Sequence, residues 1–193
     1  MRVYYDTEFL ENGSTIRLIS IGMIREDGKR LYRVVKDYPL IVAASNHPWL
    51  RANVLTNLPV TYDFFTGKPL WDDHHKDSDY RTLTDKETVA DDVTEFLLDT
   101  PDLELWAYYA AYDHVALCQL FGTMMDLPEG IPMYTNDIKQ EYFRRYGSQH
   151  VTLVQTSGEH NALEDAKHNW RMAFNIGITD VLPPEVYNSE ISS

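Results

Sequence analysis

With one cysteine in 193 residues, Cys118, the chain has no partner for an internal disulfide, which suits folding in a reducing compartment. Its neighbours Val115, Ala116, Leu117 and Leu120 give it the pattern of a small core residue. Long apolar runs are missing as well. No stretch reaches the roughly 18 residues that a membrane span needs, and no basic start leads into an apolar segment as in a secretion signal. A soluble, cytoplasmic protein with no membrane partner is expected. There are no internal repeats. Positive charge is scarce: 17 Lys and Arg stand against 30 Asp and Glu, a formal net charge of -13. Such a chain is no general nucleic-acid coat, because non-specific binding neutralises many phosphates with Lys and Arg. An enzyme holding one strand end is still allowed, since metal ions supply local positive charge in many phosphoryl-transfer sites.

Apolar residues make up 44% of the chain, enough for one substantial core. We expect one domain over 1–180 and a frayed tail over 181–193. Residues 2 to 9, 15 to 24 and 30 to 35 read as three strands, with "EDG" at 26 to 28 as a hairpin turn, which makes an antiparallel meander. A short helical patch at 49 to 55 precedes an irregular loop at about 58 to 80, which ends in "DDHHKDSD". Thr84 and Glu87 have capping-box spacing, and Val89, Val93, Phe96 and Leu97 follow at helical intervals before Pro101, predicting a helix over 85–99. A buried strand at 103 to 109 follows, then helices at 112 to 122 and 137 to 147, each closed by glycine, and a last helix at 162 to 176. Three strands followed by alternating helix and strand predict an α/β mixed sheet with the meander at its edge.

The acids ask for explanation. Asp6 and Glu8 lie two apart on a strand, so both project from one face, about 7 Å apart at their Cα atoms. Asp113 follows directly on the strand at 103 to 109, and open α/β sheets build sites at the carboxyl ends of strands. In "EHNALEDAKHNW", Asn161 and Glu164 form an N-cap and N3 pair. His160 and Asp165 then occupy the two positions that meet in a hydrophobic staple. Ala162, Leu163, Ala166, Trp170, Ala173 and Phe174 form the buried stripe of this helix. Singly, each has an ordinary explanation: a solvated strand face, a helix cap, a surface histidine. Together they make a cluster. Two carboxylates about 5 Å apart repel by about 3 kcal/mol at an effective dielectric near 20. Hard divalent ions with oxygen ligands, Mg²⁺ or Mn²⁺, relieve that repulsion, and no Cys and His pairs at ligand spacing suggest a structural zinc site. A pair of such ions activates water and stabilises a leaving oxygen at phosphorus. A histidine, ordinarily titrating near pH 6.5, suits the role of proton acceptor. Phosphodiester hydrolysis is the chemistry expected.

This constellation resembles the DEDDh 3′-to-5′ exonucleases, a branch of the RNase H-like superfamily. Asp6 and Glu8 match the first motif, Asp113 the second, and His160, Ala162 and Asp165 the third. "YDTEF", "LISIG", "ELWA", "AYDHVALCQL" and "ALEDA" look, within that branch, like the actinobacterial polyadenylate-specific exoribonucleases, over residues 2 to about 176. The resemblance implies that Asp6, Glu8 and Asp165 hold a first metal ion and that Asp6, with Asp113 more indirectly, serves a second. It also implies His160 as general base, a homodimer, and single-stranded RNA trimmed from its 3′ end to nucleoside 5′-monophosphates, with adenylate-rich ends a candidate preference. Many relatives carry His-Asn ahead of the second motif where this chain has Tyr108 and Tyr109, so contacts made there do not transfer.

Phe9 and Tyr112 are the candidate base-stacking residues. Trp106, on an apolar strand, reads as core. Lys139, Arg144, Arg145, Lys167 and Arg171 form a basic cluster that reads as solvated surface, and "DDHHKDSD" reads as a solvated loop. Two alternatives stay open from the residues alone. One is a DNA exonuclease of the proofreading type, since nothing visibly reads a 2′-hydroxyl. The other is a non-catalytic nucleic-acid-binding module on the same fold.

Overall fold

The computed structural model describes residues 1–72, 83–147 and 154–183. Its centre is a six-stranded mixed sheet. β1 (Arg2–Glu11), β2 (Ile16–Arg25) and β3 (Arg30–Val35) form the expected antiparallel meander. β7 (Glu104–Ala107) lies parallel to β1, β8 (Asn136–Asp137) parallel to β7, and β6 (Leu83–Thr84) parallel to β3. The order β6-β3-β2-β1-β7-β8 therefore sets the meander in the middle of the sheet, where the sequence suggested its edge. The two-residue β6 that covers β3 is too short to leave a strand pattern.

Helices cover both faces. α3 (Lys86–Leu98) and α4 (Ala111–Gln119) pack on one, where Val3, Tyr5, Ile21 and Met23 meet Val93, Leu97 and Leu117. The other face carries α1 (Tyr38–Ser45) and α2 (Pro48–Asn53) over Ile19 and Val34, and α6 (Ala162–Asn175) with α5 (Ile138–Tyr146) over Tyr4 and Ile24. β2 serves both by alternation, and a bulge resets that alternation at Ile19. Glu8 pairs with Ser20 but Phe9 with Leu18, so Ile19 is extra. Strict alternation would send Ile19 to the same face as Ile21 and Met23; the inserted residue sends it to the opposite core instead.

Several local expectations change. Asp85, not Thr84, caps α3, its carboxylate accepting from the Thr88 amide, because Thr84 is committed to β6. The expected loop at 58 to 80 contains an antiparallel hairpin, β4 (Val60–Tyr62) with β5 (Pro69–Trp71). Asp63 closes its turn, accepting from the Phe65 and Thr66 amides, and holds Phe64 and Phe65 almost fully in solvent. Most of "DDHHKDSD" and all of 184–193 lie outside the described residues. Val181, assigned to the frayed tail, accepts a hydrogen bond from the Trp170 indole at 3.0 Å. Cys118 is half-buried with Sγ 3.4 Å from His114 Nε2, and Val115 is exposed, so these two lie off the core face that Ala116 and Leu117 occupy on the same turn. Trp106 is half-buried against the α6 core.

Gly22 positions α6. It stands opposite Asp6 on β2, and a methyl group built on it would lie 2.2 Å from the Leu163 nitrogen and 2.3 Å from the Ala162 carbonyl. Any side chain here collides with backbone, so only glycine lets the helix rest directly on the strand. We expect Gly22→Ala to lower the unfolding free energy by about 1–3 kcal/mol, measured by chemical denaturation. Unaltered stability would mean that the helix does not lie on β2.

Candidate active site

Asp6 and Glu8 project from β1 toward the α6 side of the sheet, as their spacing predicts. Glu8 is buried, and its cross-strand neighbour Ser20 has a buried hydroxyl with no hydrogen-bond partner among the described residues. Burial first, then repulsion from Asp113, Asp165 and Glu8, drives the Asp6 carboxyl well above the usual carboxylate range. Burial and the charges of Asp165 and Asp113 push Glu8 up to about 8.

Asp113 arrives from the other side of β1. β7 pairs with β1 only as far as Tyr4, so the Thr7 amide farther along that edge has no strand partner. The Asp113 carboxylate takes its place: Oδ1 accepts from the Thr7 amide at 2.9 Å and from the Thr7 hydroxyl at 2.6 Å. An acid at the start of α4 is thus fixed by a gap in the sheet rather than by capping its own helix. Burial still raises its pKa, against those two hydrogen bonds. Behind it, Asp137 ties the turn between β7 and α4 to α5. Its carboxylate accepts from the Ala110, Lys139 and Gln140 amides, and Tyr109 between them takes a left-handed backbone, φ 57°.

Asp165 and His160 come from the start of α6. Asn161 caps the helix, accepting from the Leu163 and Glu164 amides. The staple positions do meet, through a hydrogen bond: the His160 amide donates to Asp165 Oδ2 at 2.9 Å, and Gln155 donates to Oδ1 at 2.7 Å. Burial raises Asp165 to about 6 despite these bonds. His160 has φ 64°, a strained region for a histidine, and its surroundings hold it there. Asn57 Nδ2 donates to the Glu159 and His160 carbonyls at 3.1 and 3.2 Å, and the exposed Trp49 meets the imidazole edge-on, ring centroids 4.8 Å apart.

Glu8, His160 and Asp165 each offer one ligand atom, all within 4.8 Å of one another. Asp6, His160 and Asp165 line a cleft of about 340 Å³ with Tyr108, Gln155 and His168, whereas Glu8 and Asp113 do not reach its wall. Among the described residues, neither Lys nor Arg lines it. Carboxylates crowded without a protein cation hold protons or a metal cation. Carboxylate oxygens and one imidazole fit a hard divalent ion. Phe9 and Tyr112 also meet, stacked at 6.0 Å with Tyr112 outermost. A larger cleft, about 610 Å³, opens beside the starts of α1 and α3 and contains none of these acids. Arg17, Lys36 and Lys86 there face Asp37, Asp85 and Glu87, so it carries no net charge.

A mixed sheet compatible with an RNase H-like fold thus gathers four acids and a histidine at one rim. Residues 1–176 match the Rv2179c-like 3'-5' exoribonuclease domain, and the chain belongs to that family. It is similar to the 3'-5' exoribonuclease Rv2179c of Mycobacterium tuberculosis H37Rv, 38% identical over 182 residues covering 93% of this chain and 95% of that protein. The 3'-5' exoribonuclease MT2234.1 of the CDC 1551 strain matches with the same values.

Sequence reasoning passed over Gly22, Asn57, Trp49, Asp137 and Asn169. Asn169 is buried on α6 and donates to the Tyr5 carbonyl at 3.0 Å, fastening helix to strand. Its polarity inside the apolar stripe was the available signal.

The raised carboxyls tie stability to pH. Carboxyls in an unfolded chain titrate near pH 4, while folded Glu8 keeps its proton up to about 8. Over that interval the folded chain binds more protons, so its stability falls as pH rises. In a chelating buffer we expect a lower Tm at about pH 8.5 than at about pH 5, and a flatter profile for Glu8→Gln. A wild-type Tm that rose across this range would contradict the packing of these acids.

Proposed function

We propose that the protein removes nucleoside 5′-monophosphates from the 3′ end of single-stranded RNA in the DEDDh manner, with two Mg²⁺ ions per site and Mn²⁺ able to replace them. The meeting of Glu8, His160 and Asp165 within 4.8 Å, beside Asp6, carries the reading. Asp6, Glu8 and Asp165 are assigned to one ion, and Asp6 with the Thr7-anchored Asp113 to the other. Bound there, the ions supply Lewis-acid charge to the scissile phosphate and lower the pKa of the attacking water.

His160 accepts the proton of that water on an imidazole nitrogen. As the water oxygen bonds to phosphorus, the bond to the 3′ oxygen of the preceding nucleotide breaks, and that oxygen takes a proton from solvent to leave a 3′ hydroxyl on the shortened chain. Asn57 and Trp49 hold the imidazole beside the acids while this happens. Tyr112, backed by Phe9, is assigned to stack on a base. The proposal extends to adenylate-rich ends as preferred substrate, to a homodimer and to a cytoplasmic setting, all suggested by the resemblance or by the lone thiol.

Digestion of end-labelled homopolymer RNAs with Mg²⁺ tests it. We expect a ladder that shrinks from the 3′ end, fastest for oligoadenylate and slower for DNA of the same sequence. Asp6→Ala and Asp165→Ala should abolish it, and His160→Ala should slow it by about 100-fold while RNA still binds. An Asp6→Ala protein that degraded RNA at the wild-type rate would remove the assignment.

A further inference from the structure

The cleft has one wall that the chemistry above leaves unused. At its edge the Lys139 ammonium stands 5.8 Å from the Tyr108 ring centroid, 6.0 Å from Tyr109 and 5.8 Å from Tyr142. The Tyr108 and Tyr109 rings meet at 4.6 Å, tilted by 65°. Tyr108 lines the same cleft as Asp6 and Asp165, whereas Tyr109 keeps 60% of its surface in solvent. The group is held in place from behind. One carboxylate, Asp137, accepts from the Ala110 and Lys139 amides, so the turn carrying the tyrosines and the helix carrying the lysine share an anchor. Ile138 is buried in the core beneath.

The basic residues of this region, Lys139 included, make further contacts of their own. Arg144 and Arg145 pair with Glu141, Arg145 also binds the Ile176 and Gly177 carbonyls, and Lys167 pairs with Glu164. Around a cleft whose wall is acidic, an approaching polyanion meets repulsion. Lys139 sets a positive charge at that wall's edge, within reach of three ring faces. Rings and an ammonium side by side complement the two parts of a nucleotide: a π-face for the base, a cation for the phosphate.

We propose that Tyr108, Tyr109, Lys139 and Tyr142 form a nucleotide subsite that grips single-stranded RNA next to the scissile position, on its 5′ side. Tyr109 stacks on the base, and Lys139 neutralises the adjoining phosphate. Tyr108 joins this subsite to the cleft. The substrate class is an unpaired chain of several nucleotides rather than a dinucleotide, and stacking makes the grip tolerant of base identity. The inference rests on the exonuclease reading above and adds where the strand lies.

Its test compares oligoadenylates of two and six nucleotides. We expect the wild type to show the higher kcat/KM on the longer chain, and equal values would overturn the subsite. In Tyr109→Asn, which removes the ring while suiting the left-handed backbone, and in Lys139→Ala, we expect that ratio to fall about tenfold. Lys139→Arg should recover most of it. Anisotropy of a labelled six-nucleotide chain in chelating buffer supplies a second readout: Lys139→Ala should shallow the salt dependence of binding by about one phosphate contact. A length ratio and salt slope equal to wild type in both variants overturn the subsite while leaving the exonuclease standing. If the wild type cleaved no RNA yet bound the six-nucleotide chain through Tyr109 and Lys139, the exonuclease reading would fall and the subsite would stand.

Discussion

The first turn of α6 rests on bare backbone at Gly22, and the rest of the site follows from that contact. Ala162 and Leu163 touch the strand directly, which brings His160, two residues before the helix, and Asp165, in its first turn, over Asp6 on the neighbouring strand. Asn169, one turn and more further on, locks the same helix to the Tyr5 carbonyl. The acids do not draw these elements together; they repel one another, and burial makes each charge harder to bear. What overcomes the repulsion is apolar: Trp170 stacked on Tyr4, with Ala166, Ala173 and Ile24 around it. Stability from that core holds an electrostatically unfavourable cluster ready for use.

The sequence and the structure agree where side-chain period and capping carry information. The meander, α3 and α6 appear close to their expected bounds because alternation and 3.6-residue spacing are strong there. The Asn161 cap and the proximity of His160 to Asp165 were legible for the same reason, since a cap fixes which residues share the first turn. α1, which the sequence reading does not include, reads "YPLIVAAS" and is apolar nearly all round, which leaves no period to see. The β4–β5 hairpin is held by the Asp63 turn, a feature of side-chain hydrogen bonding rather than of pattern. Gly22 was illegible because a glycine in a strand announces a close approach without naming what approaches. Asp113 shows a further limit: its partner is an amide exposed by the early end of β7, and that end is a property of pairing between distant segments.

The bulge at Ile19 links these observations to the core. Without it, strict alternation would turn Ile19 toward the α3–α4 face, and the α1–α2 layer would lose that side chain. That layer carries Trp49 and Asn57, which reach the His160 segment. A one-residue insertion in a strand therefore bears on the placement of an imidazole two layers away.

The two sides of the acid cluster are anchored differently. Asp113 is fastened to a strand amide, so that flank is as stiff as the sheet. His160 is held by one asparagine side chain, by its amide bond to Asp165 and by the edge of an exposed indole, ahead of its helix. The opening is a vice with a fixed jaw and a sprung one. Any accommodation of strands that differ in bulk falls to the sprung jaw, and the anvil opposite keeps its shape.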